Sequence, residues 1–176
     1  ITNYNTQISN KAIYFNYIAN LNKAIRLNMT MRYDNFEYLF NNQLPIGTPS
    51  ANNNFTQFTP KLGLTYNQRK WGGYLNYSKG FVPPQITEIY NAIRVPYLLP
   101  QSFSNYEIGG YSNLLKNKLT LDFAVYVLDG RNELLSIRQP DNSTDTQSAG
   151  KTSHRGIELG LQYNPSSQLA FRLGGT

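Results

Sequence analysis

The stretch Ala24–Tyr38, AIRLNMTMRYDNFEY, alternates apolar and polar side chains along most of its length. Ile25, Leu27, Met29, Met31 and Tyr33 fall on one face, and Arg26, Asn28, Thr30, Arg32 and Asp34 on the other. A period of two marks a β-strand whose faces meet unlike surroundings. Strands of soluble domains usually run about 3–10 residues, and this one reads as about 15. At about 3.3 Å per residue and a tilt near 45°, such a strand rises roughly 35 Å, enough to cross a bilayer core. The segment therefore predicts a membrane-crossing strand with lipid on one face and a polar medium on the other.

The same alternation extends outward along the chain. Lys118–Ile137 sets Leu119, Leu121, Phe123, Val125 and Val127 against Thr120, Asp122, Ala124 and Tyr126. Arg155–Asn164 sets Ile157, Leu159, Leu161 and Tyr163 against Gly156, Glu158, Gly160 and Gln162. Leu169–Thr176 opposes Leu169, Phe171 and Leu173 to Ala170 and Arg172, and Ile13–Ala19, Phe58–Asn67, Gly72–Phe81 and Asn105–Ser112 alternate more weakly. About eight strands result. The turns at Asn20–Lys23, Gln68–Lys70, Leu114–Asn117 and Asn164–Gln168 are short, while the links Leu39–Gln57, Val82–Phe103 and Arg138–Ser148 are long. Consecutive antiparallel connections lie at opposite ends of a sheet, so the short turns share one end and the long loops the other. Bacterial transmembrane barrels have this asymmetry, with short periplasmic turns and long extracellular loops. The expected fold class is all-β: an antiparallel up-and-down transmembrane β-barrel segment.

Arg26, Arg32, Asp122, Glu158 and Arg172 fall on the polar faces and are expected to point into the lumen, because charges in a dry core are costly unless paired. On the opposite faces Trp71, Tyr66 and Tyr163 lie beside the short turns, and Phe81, Phe58 and Tyr106 near the long loops. That placement predicts aromatic girdles at both membrane interfaces.

Composition fits. Hydrophobic residues make up 40% of the 176 and aromatics 14%, and mean hydropathy is −0.48, as expected when lipid-facing and lumen-facing positions average out. No apolar run approaches the roughly 18 residues of a membrane-spanning helix. The formal net charge of +6 comes from dispersed Lys and Arg, several of them at short turns. Without a basic run, this pattern does not point to nucleic acid. With no cysteine, disulfides, thiolate metal sites and a Cys nucleophile are excluded. The chain begins at Ile1 and ends at Gly174-Gly175-Thr176 inside a rising strand, so both ends are expected to be cuts in a longer protein.

Catalytic chemistry finds little support. His154 is the single histidine, and its neighbour Ser153 points to the opposite face of a strand. Neither an enzymatic activity nor a cofactor is expected. Asn28-Met29-Thr30, Asn54-Phe55-Thr56 and Asn142-Ser143-Thr144 match a glycosylation pattern, which has no role in a bacterial outer membrane. Gly109-Gly110 and Gly174-Gly175 lack the setting of a phosphate loop. The best candidate ligand surface is the loop Val82–Phe103. There Tyr90 and Tyr97 offer flat faces with a hydroxyl, and Arg94 a fork for carboxylate or catecholate-like anions.

Three strings and two shorter ones between them occur in an informative order: PKLGLTY at Pro60–Tyr66, YSKGFVPP at Tyr77–Pro84, Leu99-Pro100, Asn105-Tyr106-Glu107, and AGKTSHRGIELGL at Ala149–Leu161. From about Met31 to Thr176 the chain resembles the later half of the barrel of a TonB-dependent outer-membrane receptor. Lys79 stands where the family commonly has Arg, and Val82 where a second Arg is common. The resemblance implies a partial barrel domain over residues 1–176, an open sheet from a wall of about 22 strands, with the plug domain and closing strands absent. It also implies location in the cell outer membrane and active import of a scarce solute, foremost a ferric siderophore. The implied partners are outer-membrane lipid, the plug domain of the same protein and the TonB energy-transducing complex. In an open sheet no hydrogen bonds join Ile13–Ala19 to Leu169–Thr176. Two other classes remain: a self-contained eight-stranded structural or adhesive barrel, and a soluble carbohydrate-binding β-domain.

Overall fold

The structure, a computed structural model, describes residues 3–45, 49–89, 98–138, 144–148 and 150–176. In chain order the described strands are β1 (Tyr4–Asn20), β2 (Ile25–Asn42), β3 (Ala51–Asn67), β4 (Trp71–Val82), β5 (Gln101–Leu114), β6 (Leu119–Arg131), β7 (Leu134–Arg138), β8 (Thr144–Ser148), β9 (Lys151–Ser166) and β10 (Leu169–Gly175), with a short helix α1 (Ile86–Ile89) between β4 and β5. Eight strands form one sheet in the order β1-β2-β3-β4-β5-β6-β9-β10, and β7 and β8 form a separate hairpin. Every pairing is antiparallel. Strands β1 and β10 occupy the two edges and do not pair with each other, so the sheet is open and is no closed eight-stranded barrel.

Register shows what the alternation is for. Leu27, Leu64, Leu75, Ile108, Val125 and Ile157 are successive ladder partners across six strands. One residue along, Arg26, Thr65, Tyr74, Gly109, Ala124 and Glu158 are partners on the other face. An apolar belt thus crosses the sheet, and its side chains are exposed, from Ile13 at 73% to Leu173 at 72%. A soluble protein does not leave so large a continuous apolar face bare. Among the described residues no helix is long and apolar enough to cross a membrane.

The short turns close by local hydrogen bonds. The Asn22 side-chain oxygen accepts from the N–H groups of Ala24 and Ile25, both at 2.8 Å. Leu115, Lys116 and Asn117 all take left-handed backbone conformations, with φ of 49°, 58° and 68°.

Two loop expectations and one strand expectation are corrected. Much of Leu39–Gln57 is strand, because the β2–β3 ladder climbs to Phe40 opposite Ala51. Backbone pairing continues there although the Asn-rich side chains alone do not favour a strand. The long strand expected over Lys118–Ile137 breaks after Arg131. Asn132 turns the chain with φ 56° while its N–H donates to the carbonyl of Gly150 at 2.7 Å, and Leu134 leaves to pack against the rim cluster described below. The link expected over Arg138–Ser148 contains β8, paired with β7.

Candidate functional site

All five charged residues expected to face the lumen lie on the polar face of the sheet, but the fold does not bring them together. Arg26 and Glu158 stand at opposite ends of one six-strand row. Arg26 donates to the Asn20 side-chain oxygen at 3.0 Å. Asp122 lies over Gly160, and Arg172 pairs in register with Gln162 near the β10 edge. Arg32 is engaged within its own strand: its Nε and Nη2 donate to the two Asp34 oxygens at 2.8 and 2.7 Å. Asp34 is 1% exposed and also accepts from Asn10 at 3.4 Å. A same-face i, i+2 spacing carried the signal for this pair. The bond from the Tyr74 hydroxyl to Glu107, which Asn105 also approaches at 3.3 Å, crosses strands and needed the register.

Beyond Asp34 the polar face becomes aromatic. Phe36, Tyr38 and Phe40 continue the parity of Arg32 and Asp34; Tyr38 and Phe40 form a buried cluster with Phe55, Ile89 and Leu98 at the long-loop end, and the half-buried Phe36 packs against it. Tyr38 meets Phe55 edge-on with centroids 5.4 Å apart, and Tyr4 meets Phe40 at 5.1 Å. The even-numbered run Phe36, Tyr38, Phe40 is legible in the sequence as an aromatic continuation of the polar face. Phe81 is a correction to the outer girdle: its ring packs against Phe36 at 5.6 Å, on the inner side. It gets there because the β3–β4 ladder ends at Lys61 opposite Ser78, leaving an opening above. The other girdle residues do face outward; Tyr66 and Trp71 are in ring contact at 4.9 Å, and Tyr77 and Tyr106 at 5.0 Å.

The opening between β3 and β4 is a cleft lined by Arg32, Lys61, Lys79, Phe36 and Phe81, with Asp34 as its carboxylate. Since Asp34 is taken by Arg32, Lys61 and Lys79 have no ion-pair partner among the described residues. Two uncompensated ammonium groups beside aromatic rings attract anions. Tyr90, Arg94 and Tyr97 lie outside the described residues. Their described flanks, Ile89 and Leu98, are both buried in the rim cluster near this cleft. Among the described residues no group of His, Cys, Asp or Glu is arranged to hold a metal ion.

A family model described as a TonB-dependent receptor-like β-barrel matches residues 1–176. No curated protein matches the sequence. Among solved structures, the ferric-catecholate import receptor Fiu from E. coli aligns over 94% of this chain and 27% of its own, with 20% identity and a TM-score of 0.69. The alcaligin outer-membrane receptor FauA from Bordetella pertussis aligns over 98% and 31%, with 17% identity and a TM-score of 0.63. The copper transporter OprC aligns over 96% and 29%, with 16% identity and a TM-score of 0.78. At these identities the likeness is one of fold, and the chain spans about a quarter to a third of each protein.

Proposed function

The chain belongs to the TonB-dependent receptor β-barrel family of the outer membrane, a family of transporters rather than enzymes, and we propose that it forms wall and extracellular loops of an importer for a ferric siderophore. The observation that carries the siderophore reading is the cleft of Arg32, Lys61 and Lys79 beside Phe36 and Phe81. Its charge suits an anionic ferric chelate, and its rings suit flat chelating groups. In this reading the polar face, including Arg26, Asp122, Glu158 and Arg172, lines the lumen against the plug domain of the same protein. Energy arrives from the TonB complex through that plug. The loop residues Tyr90, Arg94 and Tyr97 contact the chelate, on a segment whose flanks are fixed at Ile89 and Leu98.

Uptake of radiolabelled iron tests this directly. A strain relying on the full-length receptor should accumulate iron from at least one anionic siderophore, and lose uptake when TonB is deleted. Replacing Tyr90, Arg94 and Tyr97 together by Ala should cut uptake while leaving the receptor folded in the membrane. Copper accumulation with no iron uptake from any chelate would sink the siderophore reading and leave the barrel assignment standing.

A further inference from the structure

Charge and shape coincide at the short-turn end of the apolar face. The short turns carry Lys23, Arg69, Lys70, Lys116 and Lys118 and no carboxylate. Four of these come from two neighbouring turns, tied together where the Asn113 N–H donates to the carbonyl of Lys70 at 2.6 Å and Trp71 pairs with Ser112. All four are exposed, and among the described residues none forms an ion pair. Lys118 donates to the carbonyl of Pro165 at 3.0 Å and keeps its charge.

Beside these cations the apolar belt is interrupted. Gly73 and Gly110 are ladder partners on the outer face, so the row running through Ile25, Tyr66, Phe123 and Leu159 lacks two adjacent side chains. The resulting groove is almost wholly apolar and is walled by Trp71, Leu121, Phe123, Leu161 and Leu173. Trp71 stands at its turn-side end, directly after Arg69 and Lys70 in the chain.

We propose that this is a binding site for an anionic glycerophospholipid of the periplasmic leaflet. One acyl chain occupies the groove over Gly73 and Gly110, and the phosphodiester lies against Arg69, Lys70 and Lys116. A groove without polar partners suits a hydrocarbon chain. The indole of Trp71 sits where aromatic side chains anchor at a membrane interface, and clustered cations at that level favour anionic over zwitterionic headgroups. This site requires only that the barrel lie in a membrane, so it stands apart from the identity of any imported solute.

The test uses the full-length receptor in detergent, titrated with phosphatidylglycerol and phosphatidylcholine of matched chains and read by native mass spectrometry. The wild type should retain the anionic lipid with about tenfold or greater preference. The combined substitution Arg69→Gln, Lys70→Gln and Lys116→Gln should bring that ratio close to one, with folding verified by heat-modifiable gel mobility. No preference in the wild type, or a preference that survives the triple substitution, overturns the proposal. If the triple variant does not fold, lipids brominated on the acyl chain decide the matter in the native protein. Fluorescence lost from Trp71, taken as the difference between wild type and Trp71→Phe, should be quenched more by brominated phosphatidylglycerol than by the phosphatidylcholine analogue. Equal quenching overturns the proposal.

Discussion

The ring of Tyr126 on β6 lies across Gly156 on β9, with its hydroxyl oxygen 2.5 Å from where a Cβ on that glycine would stand. The same relationship recurs on the polar face between Tyr74 and Gly109, and between Tyr111 and Gly72. Each tyrosine fills the space left by a missing side chain one strand away, so glycine acts here as a socket. Gly156→Ala should force Tyr126 out of place and cost about 1–3 kcal/mol, seen as a lower unfolding midpoint in detergent. In a Tyr126→Ala background the same substitution should cost almost nothing. A double-mutant cycle measures the coupling, and zero coupling would refute the socket.

Arg32 and Asp34 predict an asymmetry. Asp34 is 1% exposed and held by two guanidinium bonds, whereas the Arg32 side chain is 46% exposed. Removing Arg32 leaves a buried carboxylate without its cation, and removing Asp34 leaves a guanidinium that water can reach. Breaking a pair costs most when the remaining charge is the buried one. Arg32→Ala should therefore destabilise the barrel more than Asp34→Asn in urea unfolding. The reverse order would mean that water reaches Asp34 in the whole barrel.

The two faces of one strand predict unequal outcomes at neighbouring positions. Met29 faces outward in a row with Leu62 and Tyr77, and Thr30 faces the polar side opposite Asn16 and Lys61. Met29→Arg should cost about 2–4 kcal/mol, as cations do near the middle of a lipid face. Thr30→Arg should cost less, under about 1 kcal/mol, the cost coming from repulsion by Lys61 opposite. Folding efficiency into lipid vesicles checks both. Equal losses at the two sites would mean that the odd-numbered face of β2 does not meet lipid.

The belt and its polar reverse were legible in the sequence because a period of two survives whatever the register. Ladder geometry was less so. Asn52, Asn53 and Asn54 carry no strand signal, yet they pair in register with Leu39, Tyr38 and Glu37, and the Asn52 amide donates to the Glu37 carboxylate at 3.3 Å. The alternation of β6 stops after Val127, and the polar run Asp129-Gly130-Arg131-Asn132-Glu133 carries a turn signal for the break at Asn132, although Leu134, Leu135 and Ile137 beyond it suggest a continuing strand. That break exists because Leu134 finds neighbours in the rim cluster and the Glu133 carboxylate accepts from the Thr152 hydroxyl at 2.8 Å. Contacts of this kind join residues that only the fold brings near. The same holds for Tyr126 on Gly156, which needed the β6–β9 register to be seen.

The rim cluster makes the last prediction. Phe40 is 2% exposed, in ring contact with Tyr4 and in one cluster with Ile89 and Leu98. Besides meeting Tyr4 on β1 it holds loop to wall, and the β2 ladder itself is made by backbone groups that Phe40→Ala leaves intact. Truncating a buried phenylalanine costs about 3–5 kcal/mol, and here that loss should fall on loop docking. Limited proteolysis of intact cells should cut Phe40→Ala between β4 and β5 much faster than wild type, while heat-modifiable mobility of the barrel stays unchanged. On the proposed siderophore reading iron uptake should fall along with docking, because Ile89 and Leu98, which flank the segment bearing Tyr90, Arg94 and Tyr97, would lose a packing partner. Unchanged proteolysis would show that the loop is held by contacts other than this cluster.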